Sequence, residues 1–503
     1  MRTDGRSGGS EWWPHVIKDL GPVLRAVIVA GICCWGIIEA GYGLLQVLGW
    51  RSSRHALYVL TGHFQNPGPF GGFVACVMAV AGAWVMRFPV KPGMTEERPG
   101  MTEERPGMTE AGRWMARIEV GIRVLAWVAL GMGLIVLPAS MSRAGWLALV
   151  VALGVEALRQ PYVRSWLHQH RWAVPASCLA ASALLAGAFF LKPDSALGRL
   201  HIWRMELRAI AERPWCGAGS GMGPWAYGET QEAFFREHLE TVSPATIRVA
   251  GCPEYAFNEY LGIGVEHGLP AMVLFVLLIV SSIVVLHKVG SPLAAGLTAW
   301  AVFAFSSYPL AVPQLRILGA VFVISAIVSG LLMIPRKIVS ISLAVSACMS
   351  VGLLLFDGRR SPVKPGMTGG KVGMKEEFRT VYMEGYSLHQ LGRYEESTEV
   401  LARGAMLSCD PLFEIIMGKN AEALGDYERA AKLYRKAHYM VPSRLYPLVR
   451  LMRLQVRQGR DGEALATARE IVAMPVNERN AGMVRLHGDA EKALDSLETV
   501  IRR

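Results

Sequence analysis

The sequence predicts an all-α protein, in which a polytopic helical membrane bundle of about nine transmembrane helices precedes a soluble α-solenoid of helix–turn–helix repeats. Hydrophobic residues make up 52% of the 503 residues and the mean hydropathy is +0.30, which is more apolar than an ordinary soluble domain. Apolar residues concentrate in 22–356, whereas 374–503 is polar, charged and internally repeated. The chain therefore has one region suited to lipid and another suited to water.

The membrane helices are predicted from apolar runs, because a helix needs about 20 mostly apolar residues to cross a bilayer. Such runs lie near 22–48, 68–86, 117–137, 141–158, 172–191, 269–287, 293–312, 315–334 and 338–356. The first run is long and carries Glu39, and the fourth is short. Residues 1–21 are expected to be a cytoplasmic N-terminus without a cleavable signal peptide, because charged residues precede an apolar stretch long enough to remain as an anchor.

The orientation of the bundle follows from the distribution of Lys and Arg among the short loops. With the N-terminus in the cytoplasm, most of these residues fall on the cytoplasmic side. The short outside loops then hold only Arg51, Arg54, Arg143 and Arg316. This orientation requires an odd number of spans, and it places the large hydrophilic loop 192–268 and everything after residue 357 outside. It also accounts for the net charge of +11 without a nucleic-acid partner, since no basic stripe with interleaved aromatics is present.

The tail 374–503 follows a linker, 357–373, and repeats with a period of about 34 residues. Leu391-Gly392-Arg393-Tyr394 recurs as Leu424-Gly425-Asp426-Tyr427, and Gln458-Gly459-Arg460-Asp461 follows. This period resembles the tetratricopeptide repeat, whose stacked units offer a concave surface. The array either binds a protein partner or only caps the chain. The tandem PGMTEER strings in 91–109 are interpreted as low-complexity linker without a chemical role.

Ionisable and cysteine residues narrow the function class. Apart from Glu39, Arg123 and Glu156, the predicted spans hold almost no ionisable residue, which disfavours an ion-coupled transporter. The sequence has no CxxC pair and no His/Cys ligand cluster, so no metal site is predicted. Cys216 and Cys252 both lie in the outside loop and could form a disulfide there.

Two polar clusters stand at predicted helix starts. In 61–70, Gly and Pro enforce a tight turn. The Asn66 amide in this turn either faces a ligand or only stabilises the turn. In 142–146, Arg143 combines its fork of donors with the positive end of a helix, which suits phosphate oxygens. The alternative for Arg143 is an interfacial arginine that extends to lipid headgroups.

The third cluster runs through the outside loop. From 198 a helix is predicted, with Arg199, Trp203 and Glu206 on one face and with His201, Arg204 and Arg208 on another. A Gly-rich break then follows Arg213, and the chain returns through 254–269, which holds Asn258, Glu259 and His267. The GAGSG string of the break follows no predicted strand, so it does not indicate a dinucleotide site.

Taken in order, these motifs resemble the O-antigen ligase and polymerase superfamily over about residues 40–335. The motifs are a Gly-Xaa-Phe-Xaa-Asn-Pro turn (62–67), Ser-Arg-Xaa-Gly (142–145), Gly-Arg-Leu-Xaa-Xaa-Trp (198–203), Pro-Xaa-Xaa-Gly-Xaa-Gly (214–219), Asn-Glu-Xaa-Leu (258–261) and Glu-Xaa-Gly-Leu (266–269). Members with a trailing tetratricopeptide array are familiar in that superfamily. Members usually have more membrane helices, so that this chain is either a fragment or a shortened form.

The resemblance implies glycan transfer at the periplasmic face of the bacterial inner membrane, with the large loop and the tail in the periplasm. The donor would be a glycan on undecaprenyl diphosphate, and the acceptor a hydroxyl of a glycan, a lipid or a protein, with membrane lipid around the bundle and no metal or cofactor. Arginines would neutralise the leaving pyrophosphate. Arg143 and Arg199 match the motif arginines, and Arg204 and Arg213 are further candidates. Asn66, Trp203 and Asn258 are the other expected substrate-binding residues.

One position departs from the pattern. Ligases of this superfamily carry a histidine before the Asn of the last loop motif, where this chain has Phe257, which cannot accept a proton. Glu259 is the first candidate for a substitute base, followed by His201, His267 and Glu254. The departure leaves open ligation, polymerisation or lost activity. It also leaves a second class of function, a non-catalytic component of polysaccharide assembly or export that uses the tail as a scaffold.

Overall fold

A computed structural model of the chain is helical wherever it is regular. It describes residues 12–55, 57–87, 110–177, 179, 187, 193–333, 374–476 and 480–501, and none of these lies in a strand. The all-α prediction is therefore confirmed for the described residues.

The helices of the apolar region and the large loop come first in the chain. They are α1 (Trp12–Val47), α2 (Pro67–Met86), α3 (Glu110–Ala139), α4 (Arg143–Arg159), α5 (Pro161–Gln169), α6 (Pro193–Glu212), α7 (Gly223–His238), α8 (Pro244–Val249), α9 (Glu259–Lys288), α10 (Leu293–Ala304), a 3₁₀ turn (Pro309–Ala311) and α11 (Pro313–Met333). Side-chain caps fix the starts of α2, α4 and α8, where Asn66, Ser142 and Ser243 accept backbone N–H groups.

Within the described part of the chain, five helices are long and apolar enough to cross a membrane. They are Gly21–Val47, Pro67–Met86, Ala116–Ala139, Glu259–Lys288 and Pro313–Gly330. A sixth candidate is the pair α4 and α5, which is bent by 87°. These helices confirm a multi-pass membrane protein. Nine spans remain a prediction, because the run 338–356 and most of 172–191 lie outside the described residues.

The predicted span 293–312 is shorter than expected. The helix α10 ends at Ala304, and the 3₁₀ turn Pro309–Ala311 follows it. Proline restricts the residue before it to extended backbone, so the Pro309 and Pro313 positions stop a continuous helix here. The apolar run therefore contains a helix and a turn.

The chain divides into two compact units. The membrane unit comprises Met1–Ala188, Asn258–Tyr260 and Val273–Leu353, and the loop–tail unit comprises Phe189–Phe257, Leu261–Met272 and Leu354–Arg503. Most of the outside loop is therefore grouped with the tail.

In the membrane unit, α2 is the most buried element and packs against α1, α3, α4 and α10. Glycines allow the close approach, because a Cβ on Gly72 would lie 2.4 Å from the ring of Phe303 and one on Gly82 would lie 2.7 Å from Leu153. Small residues at helix contacts are typical of membrane bundles. The core of this unit thus forms around α2.

In the loop–tail unit, the tail continues as a series of helices. They are α12 (Met374–Gln390), α13 (Tyr394–Ala405), α14 (Leu412–Ala423), α15 (Tyr427–Met440), α16 (Tyr446–Arg457), α17 (Asp461–Val472) and α18 (Ala481–Ile501). Each packs against the next in the chain. Gly392, Gly425 and Gly459, which the repeat aligns, all adopt positive φ at the turns between paired helices. The helices and turns occur where the repeat places them, and the tetratricopeptide solenoid stays a prediction.

The predicted disulfide is wrong. Cys252 pairs with Cys409 of the tail, with Cα atoms 5.4 Å apart, and Cys216 is free and exposed. Cys252 and Cys409 border a core around Met205, Tyr227 and Phe235, whereas Cys216 lies in the turn after α6. Packing of the tail on α7 decides the pairing, and the sequence of the loop alone does not contain that information.

Candidate functional site

In the membrane unit, the starts of α2 and α4 are joined side by side. The Ser142 hydroxyl donates to the Gly68 carbonyl at 3.0 Å, and it also accepts the N–H of Gly145 in the first turn of α4. The helices touch closely, since a Cβ on Gly145 would lie 2.7 Å from the Gly71 carbonyl oxygen. Two helix N-termini, each with positive partial charge, therefore meet beside Arg143, which begins α4.

Contacts at the start of α9 form a second junction in this unit. The Asn258 side-chain oxygen accepts the N–H of Tyr260 at 3.1 Å, and the Tyr260 hydroxyl donates to the Ala301 carbonyl at 2.9 Å. Glu259 Oε2 accepts the N–H of Leu310 at 3.2 Å. The predicted base Glu259 thus receives a backbone donor from the 3₁₀ turn, and Asn258 orders the helix start.

The two junctions belong to the same end of the membrane unit, because Phe303 near the end of α10 packs on Gly72 in the first turns of α2. Four predicted site residues are therefore gathered there: Asn66, Arg143, Asn258 and Glu259. Asn66 caps α2, with its side-chain oxygen accepting the Gly68 N–H at 2.9 Å. The Asn66 amide thus contacts the turn in which it lies.

The turn before α2 is also fixed by α1. Gln46 Oε1 accepts the N–H groups of Thr61 and Gly62 at 2.9 and 2.8 Å. Gly62 has φ +58, and a Cβ there would lie 2.5 Å from Phe70. The glycine of the Gly-Xaa-Phe-Xaa-Asn-Pro motif is therefore required by both conformation and space.

The next residue of this turn pairs with a carboxylate. Glu39 Oε2 lies 3.0 Å from His63 Nδ1 and accepts the His63 N–H at 3.2 Å. The Tyr42 ring stacks on the imidazole, with ring centroids 3.9 Å apart. Neither the apolar span of Glu39 nor the turn motif predicts this pairing alone. The available signal was an acidic residue inside an apolar span.

In the loop–tail unit, two side chains of α6 contact Phe257, the residue that departs from the ligase pattern. The Trp203 indole N–H donates to the Phe257 carbonyl at 3.3 Å, and the Arg199 guanidinium lies 5.5 Å from the centre of the Phe257 ring. Phe257 has φ +51, which is uncommon for a bulky side chain. Arg199 and Trp203 thus share a face, as predicted, and both contact Phe257.

His201 is buried in the core between α6 and α7. Its Nε2 lies 2.8 Å from the side-chain oxygen of Gln231, whose NH₂ group donates to the carbonyls of Gly251 and Met440. These two carbonyls fix the amide orientation, so that His201 Nε2 carries the proton. Burial lowers the pKa of His201, and the Arg204 charge lowers it further. The predicted base His201 is thus a neutral donor with an internal partner.

Three further arginines of α6 and the turn after it stack on aromatic rings. Arg204 and Arg208 lie 5.0 and 4.6 Å from the centre of the Phe234 ring, and Arg213 lies 4.7 Å from that of Trp225. Arg204 and Arg213 are exposed, so that cation–π contact orients both guanidinium groups at the surface.

The Gly-rich break after α6 packs flat against the start of α9. Three backbone N–H groups donate across this contact: Leu269 to Pro214, Ala218 to Val265 and Gly219 to Glu266. A Cβ on Gly217 would lie 2.4 Å from the Glu266 backbone, and one on Gly268 would lie 2.4 Å from the Trp215 carbonyl oxygen. The Pro-Xaa-Xaa-Gly-Xaa-Gly and Glu-Xaa-Gly-Leu motifs are therefore two halves of one packing contact. His267 lies beside it, 3.9 Å from Glu266 Oε2.

Glu206 is a buried acid that was not predicted as a site residue. Its side chain lies in the interior, and Oε2 accepts no hydrogen bond from the described residues. Burial raises the pKa of Glu206 to about 8, with a further contribution from the negative charge of Glu266. Such a shift is typical of functional sites, although buried structural acids show it too.

Residues 127–276 match a family model described as O-antigen ligase, Wzy_C. The matched range contains Arg143, Arg199 and the loop motifs, whereas the turn at Asn66 precedes it. A comparison with curated proteins gives no match. The family match supports the O-antigen ligase superfamily, which acts enzymatically in glycan transfer or ligation during polysaccharide assembly, with a lipid-linked glycan and an acceptor as partners.

Proposed function

We propose that the protein transfers or polymerises a glycan from undecaprenyl diphosphate onto an acceptor hydroxyl, at the periplasmic face of the inner membrane. The observation that carries this proposal is the O-antigen ligase match at 127–276, which contains both motif arginines, Arg143 and Arg199. The acceptor is a glycan, a lipid or a protein, and the proposed reaction needs no metal or cofactor.

The environment of Arg143 supports a role with the diphosphate. The N-termini of α2 and α4 meet at Ser142 and Gly68, so that Arg143 begins α4 directly beside the start of a second helix. Helix N-termini and arginine both favour phosphate oxygens, and charge developing on the leaving diphosphate is stabilised by such donors.

Arg199 is the proposed diphosphate-binding residue of the loop–tail unit, and Arg204 and Arg213 are weaker candidates. The Phe257 ring beneath Arg199 and the Trp203 hydrogen bond order this part of α6. The described contacts do not single out Glu259, His201 or His267 as the base.

The Cys252–Cys409 bond supports the proposed topology. Disulfides persist in oxidising compartments such as the periplasm. A bond between the loop and the tail therefore favours both segments lying outside the cytoplasm, as the distribution of Lys and Arg also does.

An alternative is a non-catalytic assembly component whose tail binds a partner. The observation in its favour is the firm attachment of the tail to the loop. Besides the Cys252–Cys409 bond, Lys436 Nζ of the tail lies 2.8 Å from Glu229 Oε1 of α7, and Glu414 Oε1 holds the same Lys436 within the tail at 2.9 Å. A tail held in this way is suited to act as a scaffold.

The test is complementation of a strain that lacks the gene. We expect carrier-linked glycan to accumulate in that strain, and the wild-type chain to clear it. Arg143→Ala and Arg199→Ala should fail to clear it although the protein is inserted at normal levels, because the leaving diphosphate loses its positive charge. Arg51→Ala and Arg248→Ala are matched controls on exposed arginines, the latter paired with Asp194. Normal clearance by both Arg143→Ala and Arg199→Ala would refute the catalytic proposal and favour the scaffold.

A further inference from the structure

The pair of Glu39 and His63 has the geometry of a base and its orienting acid. His63 Nδ1 and Glu39 Oε2 are 3.0 Å apart. The side chain of Glu39 is 6% exposed, whereas that of His63 is 38% exposed. The carboxylate is therefore inside the membrane unit, and the imidazole extends from it towards the surface.

The hydrogen bonds fix which ring nitrogen is available. Glu39 Oε2 already accepts the His63 backbone N–H, and an ionised carboxylate has no proton to donate, so Nδ1 carries the ring proton. The lone pair of neutral His63 is then on Nε2. Tyr42 stacks on the ring, and Arg54 donates to the His63 carbonyl at 2.9 Å, so that the orientation is held from α1 and from the loop. In acid–histidine pairs that act as general bases, a carboxylate accepts the Nδ1 proton and Nε2 carries the lone pair that takes a proton from the substrate.

The position of the pair relates it to Arg143. Asn66 caps α2 three residues after His63, and the carbonyl of Gly68 accepts the hydroxyl of Ser142, which precedes Arg143. His63 and Arg143 therefore belong to the two chain segments that this hydrogen bond joins at one end of the membrane unit.

We propose that His63 is the general base for the acceptor hydroxyl and that Glu39 is its positioning residue. This inference rests on the proposed function. The acceptor proton moves to His63 Nε2 while the acceptor oxygen forms a bond to the anomeric carbon. The bond from that carbon to the diphosphate oxygen breaks, and the carrier diphosphate leaves with the electron pair towards Arg143. Glu39 stabilises the imidazolium, which then releases the proton to water. His63 thereby supplies the imidazole that Phe257 does not.

The test uses the full-length protein in liposomes that contain the carrier-linked glycan accumulated by the deletion strain. Solubilised envelope from that strain supplies the acceptor, and formation of undecaprenyl diphosphate is measured by mass spectrometry. His63→Ala should lower the turnover rate about 100-fold or more, as expected for loss of a general base. Added imidazole should restore part of it, because a free base can occupy the space that the ring leaves.

Two further variants separate catalysis from folding. His63→Asn keeps a side-chain N–H for Glu39 but lacks Nε2, so it should fold and still be as slow as His63→Ala. Glu39→Gln should lower kcat and leave KM for the carrier-linked glycan unchanged, because it acts on the base alone. His55→Ala is the matched control in the same loop, where the ring accepts the Leu57 N–H at 3.0 Å and no acidic side chain contacts it in the described part of the chain; it should retain the wild-type rate.

The outcomes distinguish this inference from the proposed function. If Arg143→Ala is inactive while folded His63→Asn and His63→Ala turn over normally, the base assignment is overturned and the transfer proposal stands. Loss of activity in His63→Ala without any recovery in imidazole, with His63→Asn active, would show a structural role and overturn it too. If the wild type forms no undecaprenyl diphosphate, or Arg143→Ala and Arg199→Ala are both as fast as the wild type, the proposed function itself fails.

Discussion

The disulfide between Cys252 and Cys409 should be a large part of the stability of the loop–tail unit. Replacing both residues by serine removes a cross-link between positions 157 residues apart. In the chain-entropy treatment, closing a loop of this length stabilises the folded state by about 5 kcal/mol.

This figure is an upper bound for the present chain. The membrane helices α9 to α11 lie between the two cysteines, and they stay folded in the bilayer when the loop–tail unit unfolds. The free chain that the bond closes is therefore shorter, about 80 residues, for which the same treatment gives about 4.5 kcal/mol. For a unit of this size, about 4.5 kcal/mol lowers Tm by roughly 9–18 °C.

The assay is thermal unfolding of the detergent-solubilised protein, followed by maleimide labelling with and without reductant. Cys216→Ser is the control, because Cys216 is exposed and free and its loss should leave Tm unchanged. The reasoning is refuted if Cys252 and Cys409 react with maleimide in the unreduced folded protein, or if Cys216 is protected from it. An unchanged Tm of the double variant would refute the magnitude.

Three further results are expected. A double-mutant cycle should give a coupling free energy of about 2 kcal/mol between Lys436 and Glu414, whose carboxylate is 6% exposed, and under about 1 kcal/mol with the more exposed Glu229; equal couplings would contradict this. The stability of the wild type should be highest below the ordinary Glu pKa and fall as pH rises through about 8, because the fold favours protonated Glu206; Glu206→Gln should flatten Tm across pH 5 to 9, and a parallel decline in both would contradict this. Gly268→Ala should prevent correct folding, measured as protease resistance, since φ is +84 and the new Cβ meets backbone at 2.4 Å; full resistance would contradict it.

The helix class and much of the membrane region could be predicted from sequence because run length is a local property. A stretch of about 20 apolar residues has few alternatives to a membrane helix. The prediction was wrong in length at 293–312, where proline and serine interrupt an apolar run that still has high average hydropathy. Average hydropathy does not register a single residue that ends a helix.

Helix faces within the loop were predictable for the same reason. Arg199 and Trp203 are four residues apart, so the helix period places them together, and both contact Phe257. The burial of His201 was not predictable, because its partner Gln231 is oriented by the Met440 carbonyl from the distant tail. Nothing in the periodicity of either segment indicates that contact.

The proposed base lies in a different chain segment from the one that the motif pattern indicates. A general base is defined by a lone pair held near the reacting hydroxyl, and the chain segment that provides it is secondary. Phe257 removes the imidazole from one segment, while a carboxylate of α1 orients the His63 imidazole in another. Glu39 is buried in an apolar helix, where an unpaired carboxylate is unfavourable, so the pair stabilises the acid and directs the histidine at once. A substitution that looks inactivating in one motif is therefore compatible with the proposed transfer. The condition is a second, independently oriented histidine at the same end of the membrane unit as Arg143, the arginine proposed to bind the leaving diphosphate.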